Sequence, residues 1–226
     1  MTLSIGENLS ESFRFAKDGL VGHWGRWILL IILNCIPIVN FIASGYVVKI
    51  YRGGDSAPDF KGYFEMFIDG LKLFIIGLVY TIIPLILIEA PSIFEIDPIS
   101  TTGLLLMCIG TILAIIFGFF ALIAGVRFAK TESMMEAFNF GAILEKIQEI
   151  GWVHYILSYI ALIVIIGLIA GALSIVMVLL LIGAGTTSGI AMGAAVAMLA
   201  LLVLLILVPV FLLWQGKFYE NLYSLA

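Results

Sequence analysis

The densest group of reactive side chains is Glu89, Glu95 and Asp97, inside the stretch EAPSIFEIDPISTT. Two carboxylates could work as an acid and base pair, and three could hold a hard cation. A Pro-rich loop outside the membrane carries such residues by default, so they are read here as solvated. His23 and His154 are read as membrane-boundary residues, because neither sits in an HExxH or Cys/His spacing that would bind a metal. The glycine-rich GAGTTSG of Gly183–Gly189 lacks the Lys that a phosphate-cradling loop places beside its Ser or Thr, and reads as a turn. No Ser or Cys has a recognisable base beside it. Cys35 and Cys108 lie in apolar runs, where they are expected to act as small buried hydrophobes. The chain is therefore read as non-enzymatic, with no cofactor and no metal.

The elements that would carry these residues are membrane elements. Of 226 residues 63% are hydrophobic and only 12% charged, so the uncharged runs exceed what a soluble core of this size uses. No basic patch suggests nucleic acid. Ionisable residues inside apolar spans usually mark transporters and pumps, and none is found. Only Asn34 and Asn40 lie deep in an apolar run, and hydrogen bonding between helices accounts for them. The expected fold is all-α, a polytopic transmembrane helical bundle with interfacial amphipathic helices, forming one membrane domain over 1–226.

In chain order, 4–23 reads as an amphipathic helix, with Ser4 and Glu7 as a capping box and Leu9, Phe13, Ala16 and Leu20 on one face. Residues 24–51 are either one tilted span or a re-entrant hairpin, since Asn34, Pro37 and Asn40 cluster at the midpoint. An interfacial helix over 58–72 has Phe60, Phe64, Phe67 and Leu71 on one face, with Lys61, Glu65 and Asp69 turned away. Spans follow at 73–90 and 103–128, then an interfacial helix at 133–151, and spans at 153–182 and 188–214. Trp152, Tyr155, Tyr219 and Tyr223 suit the headgroup belt. Small residues at Gly118, Gly125, Gly167, Gly171, Gly189 and Gly193 are expected where helices meet closely, within or between protomers.

Topology follows Lys and Arg. If 24–51 turns back, all 11 basic residues share the cytoplasmic side. If it spans once, Arg14, Lys17 and Arg26 are translocated. On the hairpin reading Met1, Ser56, Lys146 and Ala226 are cytoplasmic, while Ile96 and Thr187 face out. A threefold internal pattern favours the hairpin: an amphipathic segment precedes an out-and-back apolar pair that closes on Gly, a base and aromatics, as GYVVKIYR from Gly45, GVRFAK from Gly125 and GKFY from Gly216.

Gly45 and Tyr46 with the following base, the Phe-Ile-Asp-Gly-Leu-Lys of Phe67 to Lys72, and Ala137 to Leu144 match a recurrent pattern. On these residues most of the chain resembles an uncharacterised prokaryotic family, domain of unknown function 4013. Asp59 to Phe64 departs mildly from the acidic, tryptophan-bearing segment often seen there. The resemblance implies a multi-span architecture and supplies no mechanism. The expectation is a multi-pass cell-membrane protein that organises lipid or partner proteins through its cytoplasmic helices, the alternative being a transporter or channel for a neutral or lipid-like solute. Its partners would be membrane lipids, further copies or other membrane proteins. Arg14, Lys17, Lys61, Lys72, Arg127 and Lys130 would form a basic collar for anionic headgroups.

Overall fold

The computed structural model describes residues 3–185 and 189–225, and among these it is all-helical with no strand. The helices are α1 (Ile5–Leu20), α2 (Trp24–Cys35), α3 (Asn40–Tyr51), α4 (Tyr63–Ile93), α5 (Thr101–Thr131), α6 (Phe140–Ile150), α7 (Trp152–Gly185) and α8 (Gly189–Ser224), with a 3-10 turn at Met134–Phe138 before α6. Four of them, α4, α5, α7 and α8, are long and apolar enough to cross a membrane. They turn aliphatic side chains outward, Leu168 at 68% and Ile175 at 62% exposure among them, which only a lipid solvent tolerates over so large an area. The chain is a helical membrane protein.

The stretch 24–51 is two 12-residue helices. Each is about 18 Å long at 1.5 Å per residue, short of a membrane core. Pro37 cannot continue the helix, and Ile36 before it is extended. The asparagines close the break: Asn34 Nδ2 donates to the Leu30 carbonyl, and Asn40 Nδ2 donates to Asn34 Oδ1 at 2.8 Å. Both ends of the stretch return to one connection. Arg26, at the start of α2, lies 4.0 Å from Asp59, and Lys49, near the end of α3, donates to the Lys61 carbonyl. An unbroken helix would hold Arg26 and Lys49 about 35 Å apart. The chain therefore reverses at residues 36–39.

Several boundaries differ from those the sequence suggests. Residues 58–62 are not helical, and α4 then runs unbroken from Tyr63 to Ile93, so nothing separates an interfacial piece from a span at Lys72. Its start is set by Gly62, whose φ of +71° suits glycine. Its first turns lie against α3 in a close backbone contact. A side chain on Gly45 would strike the Met66 carbonyl, and one on Gly70 would strike the Phe41 carbonyl. The buried face of α4 includes Met66, Asp69, Gly70, Ile76 and Tyr80, while Phe64 stays exposed and Phe60 stacks on Tyr46 from the loop. Similarly, α8 continues to Ser224, with Tyr219 and Tyr223 packed inside instead of in a headgroup belt, as is Tyr155. Cys35 and Cys108 are exposed on the outer surface, since the apolar runs around them face lipid.

The amphipathic segments share one rule of packing. The first turns of α4 pack on α3, the 3-10 turn and α6 pack on α5, and α1 packs on α8. Each lies on the returning helix of the preceding apolar pair, and α1 closes the circle by lying on the last. In that closure Asn8 Nδ2 donates to the Phe218 carbonyl, Trp214 Nε1 donates to the Leu9 carbonyl, and Phe13 meets Trp214 edge to face. The three returning helices, α3, α5 and α8, touch one another, with Gly125 beside Tyr51 and Gly216 beside Ile50. The weak repeat in the sequence thus corresponds to a ring of three units around those helices.

The glycines rank differently from their sequence spacing. Gly125 is tight against Leu73, and Gly118 is in ordinary contact range of Tyr159, but Gly167 and Gly171 face open space because α7 meets α8 through another side of the helix. Gly189 and Gly193 fall in the first turns of α8, where side-chain surroundings lie outside the described residues, as does Thr187 altogether. Replacing Gly45 or Gly70 with Leu should destabilise the fold by about 3 kcal/mol or more, since backbone and not a flexible side chain must move. The same change at Gly171 should leave the single chain's melting temperature unaltered. Thermal unfolding in detergent checks both. Joining the termini and opening the chain between Thr131 and Ser133 should still give a folded protein, read by monodisperse gel filtration and helical circular dichroism.

Candidate functional site

Side-chain contacts gather basic residues at one end of the bundle, and two of the carboxylates that face them, Asp69 and Glu220, are buried. Arg52 at the end of α3 pairs with Asp69 of α4 at 2.7 Å and lies 3.6 Å from Glu132. Arg127 of α5 pairs with Glu136 through Nε at 2.9 Å and through its terminal nitrogen. Lys130 of α5 and Lys217 of α8 converge on Glu220, at 3.0 and 2.7 Å, and Glu220 also accepts from Ser224. Lys217 donates to the Gly54 carbonyl as well, so Glu220 joins α5, α8 and the connection after α3. Lys146 lies over the Tyr223 ring and pairs with Glu149.

Ion pairing takes up three of the six residues expected to form the collar. Arg127 and Lys130 are spent on Glu136 and Glu220, and Lys61 is exposed but lies 3.0 Å from Asp59. Lys72 is half-buried on α4. Arg14 and Lys17 are exposed on α1 and make no ion pair among the described residues. The chain's spacing does not reveal Asp69 and Glu220 as partners: Asp69 reads as the polar face of an amphipathic helix, and Glu220 as part of a tail. The one available signal is that each lies about one helical turn from a base, Lys72 or Lys217.

Beside this network lies a polar cleft of about 720 Å³. Its walls are α1, the connection over 55–59, the α1–α2 turn and the end of α8. Its lining includes Glu11, Arg14, Asp18, His23, Asp55 and Asn221, with Phe15 and Gly19 at the α1 side. The α1 side is well fixed. Ser4 accepts from the Glu7 N–H while the Glu7 carboxylate accepts from the Ser4 N–H, and Asn8 and Ser12 are buried against α8. Arg26 holds the turn by donating to the Gly19 carbonyl at 2.8 Å. Tyr46 Oη donates to the Pro58 carbonyl and fixes the connection.

A hydrogen bond and charge from Lys61, aided by Arg26 and Lys49, hold the Asp59 carboxyl below its ordinary range. The bond from Arg127 does the same to Glu136. Among the described residues no group of three His, Cys, Asp or Glu is placed to hold a metal ion, and Glu89, Glu95 and Asp97 do not converge. Asp97 instead caps a turn, its carboxylate accepting from the Ile99 N–H.

A model of a protein family described as protein of unknown function (DUF4013) matches residues 28–179, more than half of the chain. The chain belongs to this family. The matched stretch runs from α2 into α7 and holds the Asn34–Asn40 staple, the Gly45–Gly70 crossing and the Arg52–Asp69 and Arg127–Glu136 pairs. No curated protein and no solved structure matches the chain.

The network makes a stability prediction. Glu220→Gln keeps the shape but leaves two lysines facing a neutral group, and should cost roughly 2–3 kcal/mol, a buried-pair value discounted for the partly exposed lysines. Lys61→Gln, at an exposed pair, should leave stability nearly unchanged. Chemical unfolding in mixed micelles measures the difference. Because Asp59 and Glu136 are held below their unfolded values, their contributions are complete above the ordinary carboxylate range and are lost as pH falls through the lowered values. Glu136→Gln should therefore flatten the acid limb of a melting-temperature profile.

Proposed function

We propose that this protein is a non-enzymatic membrane module that holds lipid or a partner protein at its basic end, and that this end faces the cytoplasm. The observation that carries the reading is the polar cleft between α1, the 55–59 connection and α8, opening at the end where the basic residues collect. With 24–51 turned back, all eleven basic residues would share one side of the membrane, the usual signal for a cytoplasmic orientation. In this reading α2 and α3 form a re-entrant pair, and α1 and α6 lie at the membrane boundary. Exposed Phe13, Val21 and Trp24, with Trp24 stacked on Trp27, would seat the α1–α2 turn among headgroups. The alternative of a solute pathway would run past Asn34 and Asn40, but their side-chain amides bond to the Leu30 carbonyl and to each other, as a staple requires.

With Cys35 and Cys108 replaced, cysteines introduced at Ser10 and Ser56 should both be protected from an impermeant thiol reagent applied outside intact cells, and one at Ile96 should be labelled. Labelling at Ser10 alone of the first two would overturn the re-entrant arrangement. Gentle detergent extraction followed by native mass spectrometry should show lipid or a stoichiometric protein retained on the chain. A chain that flies bare under conditions that keep its fold would remove the proposed function.

A further inference from the structure

We infer that the cleft takes a zwitterionic headgroup, a primary ammonium joined to a phosphate, and not the anionic headgroup that a basic collar would select. The inference rests on the reading of this end as the working face. Its basis is which charges in the cleft remain uncommitted. Arg26 is spent on the Gly19 carbonyl and Asp59, Lys217 on Glu220 and the Gly54 carbonyl, and Asp59 on Lys61. Among the described residues, Glu11, Asp18 and Asp55 remain without an ion pair on the acidic side and Arg14 on the basic side.

A purely anionic ligand would therefore meet three carboxylates for one guanidinium. A purely cationic one would leave Arg14 without an anion. A ligand carrying both charges satisfies the set, with its phosphate on the fork of Arg14 and its ammonium among Glu11, Asp18 and Asp55. The volume, about 720 Å³, lies in the range of small-molecule sites and exceeds a headgroup. The cleft also adjoins the hydrophobic turn at Val21 and Trp24, so a headgroup could enter while its acyl chains stay outside.

The same chemistry exists on phosphatidylethanolamine and on free phosphoethanolamine, and the experiment separates them. Full-length protein in detergent is titrated with dihexanoyl phosphatidylethanolamine, dihexanoyl phosphatidylglycerol and phosphoethanolamine, with binding followed by calorimetry. The ethanolamine lipid should bind at least about tenfold more tightly than the glycerol lipid. Asp18→Asn with Asp55→Asn should abolish that preference, and Arg14→Gln should weaken both lipids. Phosphoethanolamine binding as tightly as the lipid supports the site with a soluble ligand, and binding by the lipid alone supports it with a membrane ligand.

Equal or tighter binding of phosphatidylglycerol, or a preference unchanged by the double variant, overturns the inference while leaving lipid holding at this end intact. Absence of binding by all three overturns the inference, and a chain bare in native mass spectrometry removes the broader reading too. Melting temperatures establish that the variants fold. Should the double variant fail to, Glu11→Gln on the exposed face of α1 gives the same comparison.

Discussion

Every turn of this chain is governed by the cost of placing charge in hydrocarbon. Charged side chains at the bilayer centre are expensive, so each apolar pair must leave and return to the same end if its bases are to stay in water. The three pairs do so: α2 with α3, α4 with α5, and α7 with α8. With their bases brought together, the returning helices need counter-charges. Asp69 and Glu136 supply them from the next amphipathic segment, and Glu220 does so from α8 itself. The network both binds neighbouring units and consumes the charge that would otherwise face the membrane surface.

The ring follows from the same constraint. In lipid, burial of apolar surface no longer drives helices together, and close backbone approach and hydrogen bonds do more of the work. Gly45 against Met66 and Gly70 against Phe41 give the tightest crossing, while α1 reaches α8 through Asn8, Trp214 and Asn221. One junction is made mainly by glycine and a salt bridge and another by neutral amides and an indole. The units are equivalent in arrangement without being equivalent in chemistry, and this is why the repeat is faint in the sequence.

Much of the fold could be read from the residues. Long uncharged runs locate the four apolar helices, Ser4 and Glu7 announce α1, and Pro37 between two asparagines marks the break. What could not be read is orientation about each helix axis. Gly167 and Gly171 have the spacing of a packing motif, yet spacing alone does not say which side of α7 meets α8. Asp69 looks solvated because its neighbours Lys72 and Glu65 are polar, and only the position of Arg52, set by the loop, makes it a buried partner. The cleft was illegible for the same reason, since its walls come from segments more than 150 residues apart that meet only when the ring closes.

That closure carries a consequence for biosynthesis. α1 leaves the ribosome well before the turns of α8 that it packs against, where Asn8 meets Phe218 and Asn221. At typical elongation rates the delay is roughly ten to forty seconds. During that interval the inner face of α1 has no native partner and must be tolerated by the membrane surface or the insertion machinery. An amphipathic sequence of modest hydrophobicity, with polar Asn8 and Ser12 on its inner face, suits such a wait, because a more apolar α1 would risk sinking into lipid before its seat was made. The polar residues at this joint thus suit the wait before it forms as well as the finished contact.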